Sequence, residues 1–244
     1  HNTTVNGFLG GMAKEIETDI TISLNPVEKM VEETREKLKD GFGILKIKVG
    51  GDPETDLARL EAISDATENQ VQIRIDANQG WSPKQAVYVG NEIERRKISI
   101  ELMEQPVAAR DFKGMKFVRD NVALPVYADE SIFSPQDALE LVGMEAVDGI
   151  NIKLMKCGGI YNGLKIAAIA ESAGIPCMIG SMMESSISVT AAAHFAASKS
   201  VIQGYDLDAP LFCSVNPAVG GIVYKGAQIQ LPDERGLGIQ AITA

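Results

Sequence analysis

The chain has 244 residues, 45% hydrophobic and 23% charged, which is ordinary globular material with enough apolar content for a large core. A formal net charge of −10 excludes a broad nucleic-acid-binding surface but leaves room for a local basic site. No run of about 18 apolar residues is available to span a membrane; Cys157, Cys177 and Cys213 are odd in number and widely spaced, with no metal-type pair and no disulfide framework, as expected in a reducing cytoplasm.

The first residue is His1, and HNTTVNGFLGG has neither a basic leader nor an apolar core, so the opening reads as a cut inside a longer chain rather than a signal peptide. Residues 1–17 are expected to be a linker. From Thr18 onward, short apolar runs recur. They are TDITISL (18–24), ILKIKV (44–49), VQIRID (71–76), SIELMEQ (99–105), LPVYAD (124–129), DGINIK (148–153), IPCMIG (175–180) and VIQGYD (201–206). Each lies about 25 residues from the next, the spacing of strands alternating with helices. Asn25-Pro26, Asp52-Pro53, Ser82-Pro83 and Ser134-Pro135 each supply an N-cap residue followed by proline at the first helical position. Ser82 with Gln85 and Asn25 with Glu28 add capping-box spacings. Val27, Met30, Val31, Thr34 and Leu38 place an apolar stripe on the first helix. The unit at 112–120 is short for a helix.

Eight parallel strands alternating with helices predict an α/β, TIM-type barrel over residues 18–211; a doubly wound open sheet is the competing architecture. After Asp206, DAPLFCSVNPAVGG has no helical period and GIVYKGAQIQL alternates as a short strand or hairpin. The eighth helix is therefore expected to be missing, with residues 212–244 leaving the barrel.

In such barrels chemistry sits at the C-terminal ends of the strands. Strand two carries Lys46 and Lys48, which share one face roughly 7 Å apart along the backbone by alternation and strand rise. The following strands end in Asp76, Glu104, Asp129 and Lys153, and the eighth in Asp206. These charges keep step with the strand count, which scattered surface charges would not. Three converging carboxylates repel one another unless a divalent cation compensates them, and an oxygen-only set suits Mg2+, or Mn2+ in its place. Strands two and six stand opposite in an eight-stranded barrel, so Lys46 and Lys48 on one side and Lys153 on the other could serve both faces of a metal-bound substrate. The bland alternatives are acids that cap helices and lysines that are merely solvated.

KIK, DAN (76–78), MEQP (103–106), ADES (128–131) and NIKLMKCGG (151–159) together resemble the enolase superfamily, and more closely its muconate lactonizing enzyme subgroup. The resemblance runs from about Ile16 to the end. It implies a (β/α)7β barrel and an α+β capping domain, of which residues 212–244 would be the C-terminal return and 1–17 the link from an absent N-terminal part. It further implies Asp76, Glu104 and Asp129 as Mg2+ ligands, Lys48 and Lys153 as acid/base groups, Lys46 as holder of the substrate carboxylate, and Asn78 at the substrate.

The shared chemistry of that family is removal of a proton alpha to a carboxylate, through an enediolate stabilised electrostatically. YDLDAP (205–210) resembles the motif with which dipeptide epimerases hold a free amino terminus, through Asp206 and Asp208; an Asx-type turn before Pro210 is the structural alternative. MIGSMMESSIS (178–188) resembles the corresponding segment of L-Ala-D/L-Glu epimerases, which implies Ser181 and Met182 at the substrate. The expected function is therefore a Mg2+-dependent dipeptide epimerase. The alternatives are an o-succinylbenzoate synthase or muconate cycloisomerase, and a non-catalytic ligand-binding barrel. The expected partner is a small carboxylate such as a dipeptide, with homo-oligomerisation left open. His194, on an Ala-rich helix, reads as a packing residue with one hydrogen bond, and Gly158-Gly159 as turn glycines rather than a phosphate cradle. The 244 residues alone are expected to be weakly active or inactive, because loops of the capping domain exclude water from such sites.

Overall fold

A computed structural model describes residues 2–11, 13–68 and 70–242. His1, Met12, Thr243 and Ala244, parts of the stretches expected to be linker and return, lie outside the described residues, as does Asn69. The elements in order are α1 (Val5–Phe8), β1 (Glu15–Glu17), β2 (Ile20–Ile22), α2 (Val27–Lys39), β3 (Ile44–Lys48), α3 (Pro53–Thr67), β4 (Gln72–Asp76) and α4 (Pro83–Arg96). Next come β5 (Leu102–Glu104), α5 (Phe112–Asn121), β6 (Val126–Ala128), α6 (Pro135–Gly143), β7 (Gly149–Ile152), α7 (Leu154–Cys157) and α8 (Ile160–Ser172). The chain continues with β8 (Cys177–Gly180), α9 (Ser186–Ala196), β9 (Ile202–Asp206), a 3-10 turn (Ala209–Phe212), β10 (Ala218–Gly220), β11 (Val223–Lys225), β12 (Gln228–Gln230) and β13 (Ile239–Ile242).

The eight strands from β2 to β9 form one sheet in chain order, and the fold is the (β/α)7β barrel that the recurring runs predict. No helix follows β9 among the described residues, only the 3-10 turn. By its internal contacts the chain divides into two compact units, one Ile20–Ile150 and the other His1–Asp19 with Asn151–Ala244.

In the unit Ile20–Ile150 the parallel registers set the functional positions. Lys48 is the Cα partner of Asp76 on β4, and Asp76 is the partner of Glu104 on β5. The opposite faces of β3 and β4 carry Leu45, Ile47, Ile73 and Ile75, all buried, beneath helices that bury Met30, Leu57, Leu60, Ile63, Val89 and Ile93. Strands covered on both faces are the rule for parallel sheets. The caps follow the sequence signals at three of four sites. Asp52 accepts from Thr55 N, Ser82 and Gln85 close a capping box, and Ser134 accepts from Asp137 N. Asn25 is the exception. Pro26 is the cap residue of α2 with no side-chain bond, and the Asn25 amide turns back to Ser23 O instead. Of the stripe on α2, Met30 and Thr34 are the fully buried members. The short stretch at 112–121 does form a helix, capped by Asp111 on Gly114 N.

In the second unit, β8 and β9 pair in parallel, and Asp19, just ahead of β2, donates its N–H to Tyr205 O on β9. Residues 15–17, which carry no strand signal in the sequence reading, form β1, antiparallel to β12; β11 and β12 make the hairpin suggested by the alternation of GIVYKGAQIQL. Strand β1 escapes notice because three residues are too few for a periodic signal. Gly158 and Gly159 have φ of 84° and 103° and join α7 to α8, and both N–H groups are spent on Leu154 O, so they offer no donors to an anion. His194 is buried on α9, where its Nδ1 accepts from Asn6 N; burial holds its pKa below the usual value, opposed in part by the nearby backbone of Leu237. Among the described residues, no helix is long and apolar enough to cross a membrane.

Candidate functional site

The unit Ile20–Ile150 brings Asp76, Glu104 and Asp129 together. One carboxylate oxygen from each lies within 4.8 Å of the others, and all three residues are at most 1% exposed. Their elements explain the convergence: Asp76 and Glu104 end adjacent strands in register, and Asp129 directly follows β6. Lys46 is itself 1% exposed, and its Nζ lies 3.1 Å from both Asp76 Oδ2 and Glu104 Oε2. Lys48, one alternation further along β3, is more open; its Nζ donates to Asp76 Oδ2 at 2.7 Å and to Asn78 Oδ1 at 2.8 Å. Burial pushes the Asp76 carboxyl up, but Lys46 and Lys48 outweigh it, and the net direction is down. Asp76 therefore stays ionised. Three buried oxygen donors with no histidine or cysteine suit a hard divalent cation, and the convergence of their charges gives such an ion something to neutralise.

The backbone just beyond β4 and β5 is strained. Asn78, Gln79 and Gln105 have φ of 43°, 68° and 37°, a region that residues with side chains occupy at a cost. Asp76 Oδ1 accepts from Asn78 N, and the Asn78 amide donates to Glu130 Oε1, so a chain of bonds joins Lys48 to Glu130. Gln105, fully buried, uses its whole amide. Oε1 accepts from the N–H groups of Asp129 and Ser131, and Nε2 donates to Val107 O and Ser131 Oγ. It thus fixes the backbone of Asp129 from the strand that carries Glu104. The motif MEQP contains Gln105, but only the structure shows its task. Gln105→Ala would strand buried donors and an acceptor, each costing about 1–3 kcal/mol, so we expect a loss of about 2–4 kcal/mol in urea unfolding. An unchanged midpoint would refute that role.

The second unit holds the other predicted residues. Lys153, 6% exposed, follows β7, and its side chain crosses Gly180 at the end of β8. A Cβ at Gly180 would stand 2.8 Å from Lys153 Cε and 2.7 Å from Asn151 Oδ1. Glycine there makes the room the lysine needs. Lys153 Nζ lies 4.0 Å from Met182 Sδ, and Met182 N donates to the buried Glu184. Ser181 gives both its N–H and its hydroxyl to Asp206 O. Asp206 and Asp208 are 3% and 5% exposed and form with Asp19 a second group of three carboxylates within 4.8 Å. Asp19 is a residue the sequence reading missed; it stands in the first apolar run, and nothing in its spacing ties it to a motif more than 180 residues away.

The curated relatives of this chain include an L-Ala-D/L-Glu epimerase of Clostridium acetobutylicum, 52% identical over 235 residues, which covers 96% of this chain and 66% of that protein. The chain thus spans slightly under two thirds of that relative's length. Among solved structures, the substrate-liganded L-Ala-D/L-Glu epimerase of Bacillus subtilis superposes with a TM-score of 0.98 at 45% identity, covering 100% of this chain and 68% of that one. A dipeptide epimerase of Enterococcus faecalis, complexed with Mg and the dipeptide L-Leu-L-Tyr, gives 0.95 at 45% identity, covering 98% and 68%. The family model for the enolase C-terminal domain-like fold matches residues 29–242. With barrel, register and family match in agreement, the chain belongs to the enolase C-terminal domain-like family.

Proposed function

We propose that the chain is the catalytic barrel of a Mg2+-dependent dipeptide epimerase of the L-Ala-D/L-Glu type. The observation that carries the reading is the buried pair Asp206 and Asp208, two carboxylates suited to the ammonium group of a free amino terminus. The names of the relatives point the same way. A substrate of a muconate cycloisomerase or o-succinylbenzoate synthase offers no ammonium group for these two acids to meet.

Asp76, Glu104 and Asp129 would hold the Mg2+, or Mn2+ as a substitute, and the bound ion would supply positive charge where the substrate carboxylate gains negative charge. Lys46 would hold the substrate carboxylate from the floor of the site, with Asn78 beside it, and Met182 would contact the substrate next to Lys153. Lys48 and Lys153 would be the two acid/base groups, one removing the alpha proton of the C-terminal residue and the other returning a proton to the opposite face. Residues 212–244 would be the return to a capping domain. The three free cysteines support a cytoplasmic, reducing setting.

The test is exchange in heavy water. With Mg2+ present, the full-length protein, capping domain included, should place deuterium at the alpha carbon of the glutamate in both L-Ala-L-Glu and L-Ala-D-Glu and interconvert them. Absence of exchange across a library of dipeptides would refute the reading.

A further inference from the structure

The segment carrying Asp206 and Asp208 is held at every carbonyl. Tyr205 O accepts from Asp19 N, Asp206 O from Ser181, and Asp208 O from Leu211 N. Leu207, fully buried between the two acids, is gripped on both sides. Its N–H donates to Thr18 Oγ1 at 2.9 Å, and its C=O accepts from the Tyr224 hydroxyl at 2.5 Å. Thr18 is buried and itself anchored, with its N–H on Ala227 O and its hydroxyl on Asp19 O. Tyr224 comes from β11, part of the C-terminal stretch. Burial raises its phenol pKa, and the charge of Asp208 raises it further, which places the hydroxyl in the field of that acid.

Asp206 and Asp208 stand with Asp19 in a group whose carboxylate oxygens lie within 4.8 Å of one another, so the spacing of the two acids depends on how firmly the backbone between them is held. Regular strand pairing ends at Asp206, so beyond it the sheet no longer holds that backbone. The two bonds to Leu207 do so, because they fix the peptide planes on either side of the residue that separates the acids.

We propose that Thr18 and Tyr224 are positioning residues that lock the Asp206-Leu207-Asp208 turn, and so set the discrimination between substrates with a free and a blocked amino terminus. This rests on the reading of the two aspartates as the ammonium site. It assigns the first residues of the barrel and the hairpin after it a part in substrate selection, although neither contributes a group to the reaction.

The experiment compares L-Ala-L-Glu with N-acetyl-L-Ala-L-Glu on the full-length protein, capping domain included, with Mg2+. Tyr224→Phe and Thr18→Val should each raise KM for the free dipeptide about 5–20-fold with kcat within about threefold, and shrink the preference over the acetylated substrate by the same factor. Thr18→Ser, which keeps the hydroxyl, should restore both. Melting curves accompany each variant; if Thr18→Val does not fold, Tyr224→Phe alone decides, since its ring stays in place. KM and preference within twofold of the parent protein, or a fall confined to kcat, would overturn the proposal. Asp206→Asn and Asp208→Asn separate the two levels. If they leave KM unchanged, the ammonium reading fails and the clamp with it; if they raise KM while Tyr224→Phe does not, the clamp alone fails.

Discussion

Lys153→Met should lose epimerisation by at least about a thousandfold in kcat/KM, yet still exchange the alpha proton of one configuration of the substrate. General acid/base groups contribute about 10²–10⁴-fold each, and a two-base reaction needs both. Removing one base leaves the other able to take a proton from its own face and return a solvent deuteron to the same face. The product is then labelled with its configuration retained. Lys48→Met should show the mirror behaviour, exchanging the other configuration. Methionine keeps the apolar stem that fills the space over Gly180 or along β3, so the change removes charge rather than packing. NMR in heavy water reads both quantities at once. Inversion at more than a few per cent of the parent rate in either variant, or equal exchange of both configurations, would dismiss the assignment of these two lysines as the bases.

The barrel was legible because its signal is repeated eight times. Each run is apolar and bounded, and the functional charges recur at strand ends, so an error in one unit is corrected by the next. The metal-type cluster was legible for the same reason, since 28 residues separate Lys48 from Asp76 and another 28 separate Asp76 from Glu104. What stayed hidden depends on contacts that sequence spacing does not encode. Two charges on one strand face predict similar surroundings for Lys46 and Lys48. The structure instead buries Lys46 between two carboxylates and leaves Lys48 half-open beside Asn78. Position along the strand axis decides between floor and mouth, and alternation says nothing of it. Gln105 and Glu130 sit inside quoted motifs but act through local hydrogen bonds, and Thr18, Asp19 and Tyr224 reach the Asp206–Asp208 turn from segments with no motif at all. The missed cap at Asn25 is the ordinary case of a propensity overridden: α2 takes Pro26 as its cap residue, and the Asn25 amide donates to Ser23 O.

Addition of Mg2+ should raise the melting temperature of the protein by about 5–10 °C at a hundredfold excess over its Kd, and chelation should abolish activity. A ligand at that excess stabilises the native state by about 2.7 kcal/mol, and for a chain of this size each kcal/mol moves the midpoint by about 2–4 °C. The sign follows from the charges. Asp76, Glu104 and Asp129 bring three carboxylates together in a buried space, with Lys46 against Asp76 and Glu104 and Lys48 against Asp76. Asp129→Asn should remove one charged donor from the cluster and with it most of the Mg2+-dependent shift. Glu104→Gln should weaken the shift too, but at a cost in basal stability, because it breaks a buried pair with Lys46 worth about 3–5 kcal/mol when one partner is lost. The two variants thus read metal binding in a measurement that does not involve turnover. A parent protein whose melting is indifferent to both Mg2+ and Mn2+, or an Asp129→Asn protein that keeps the full shift, would show that these carboxylates are a structural ion cluster and not a metal site.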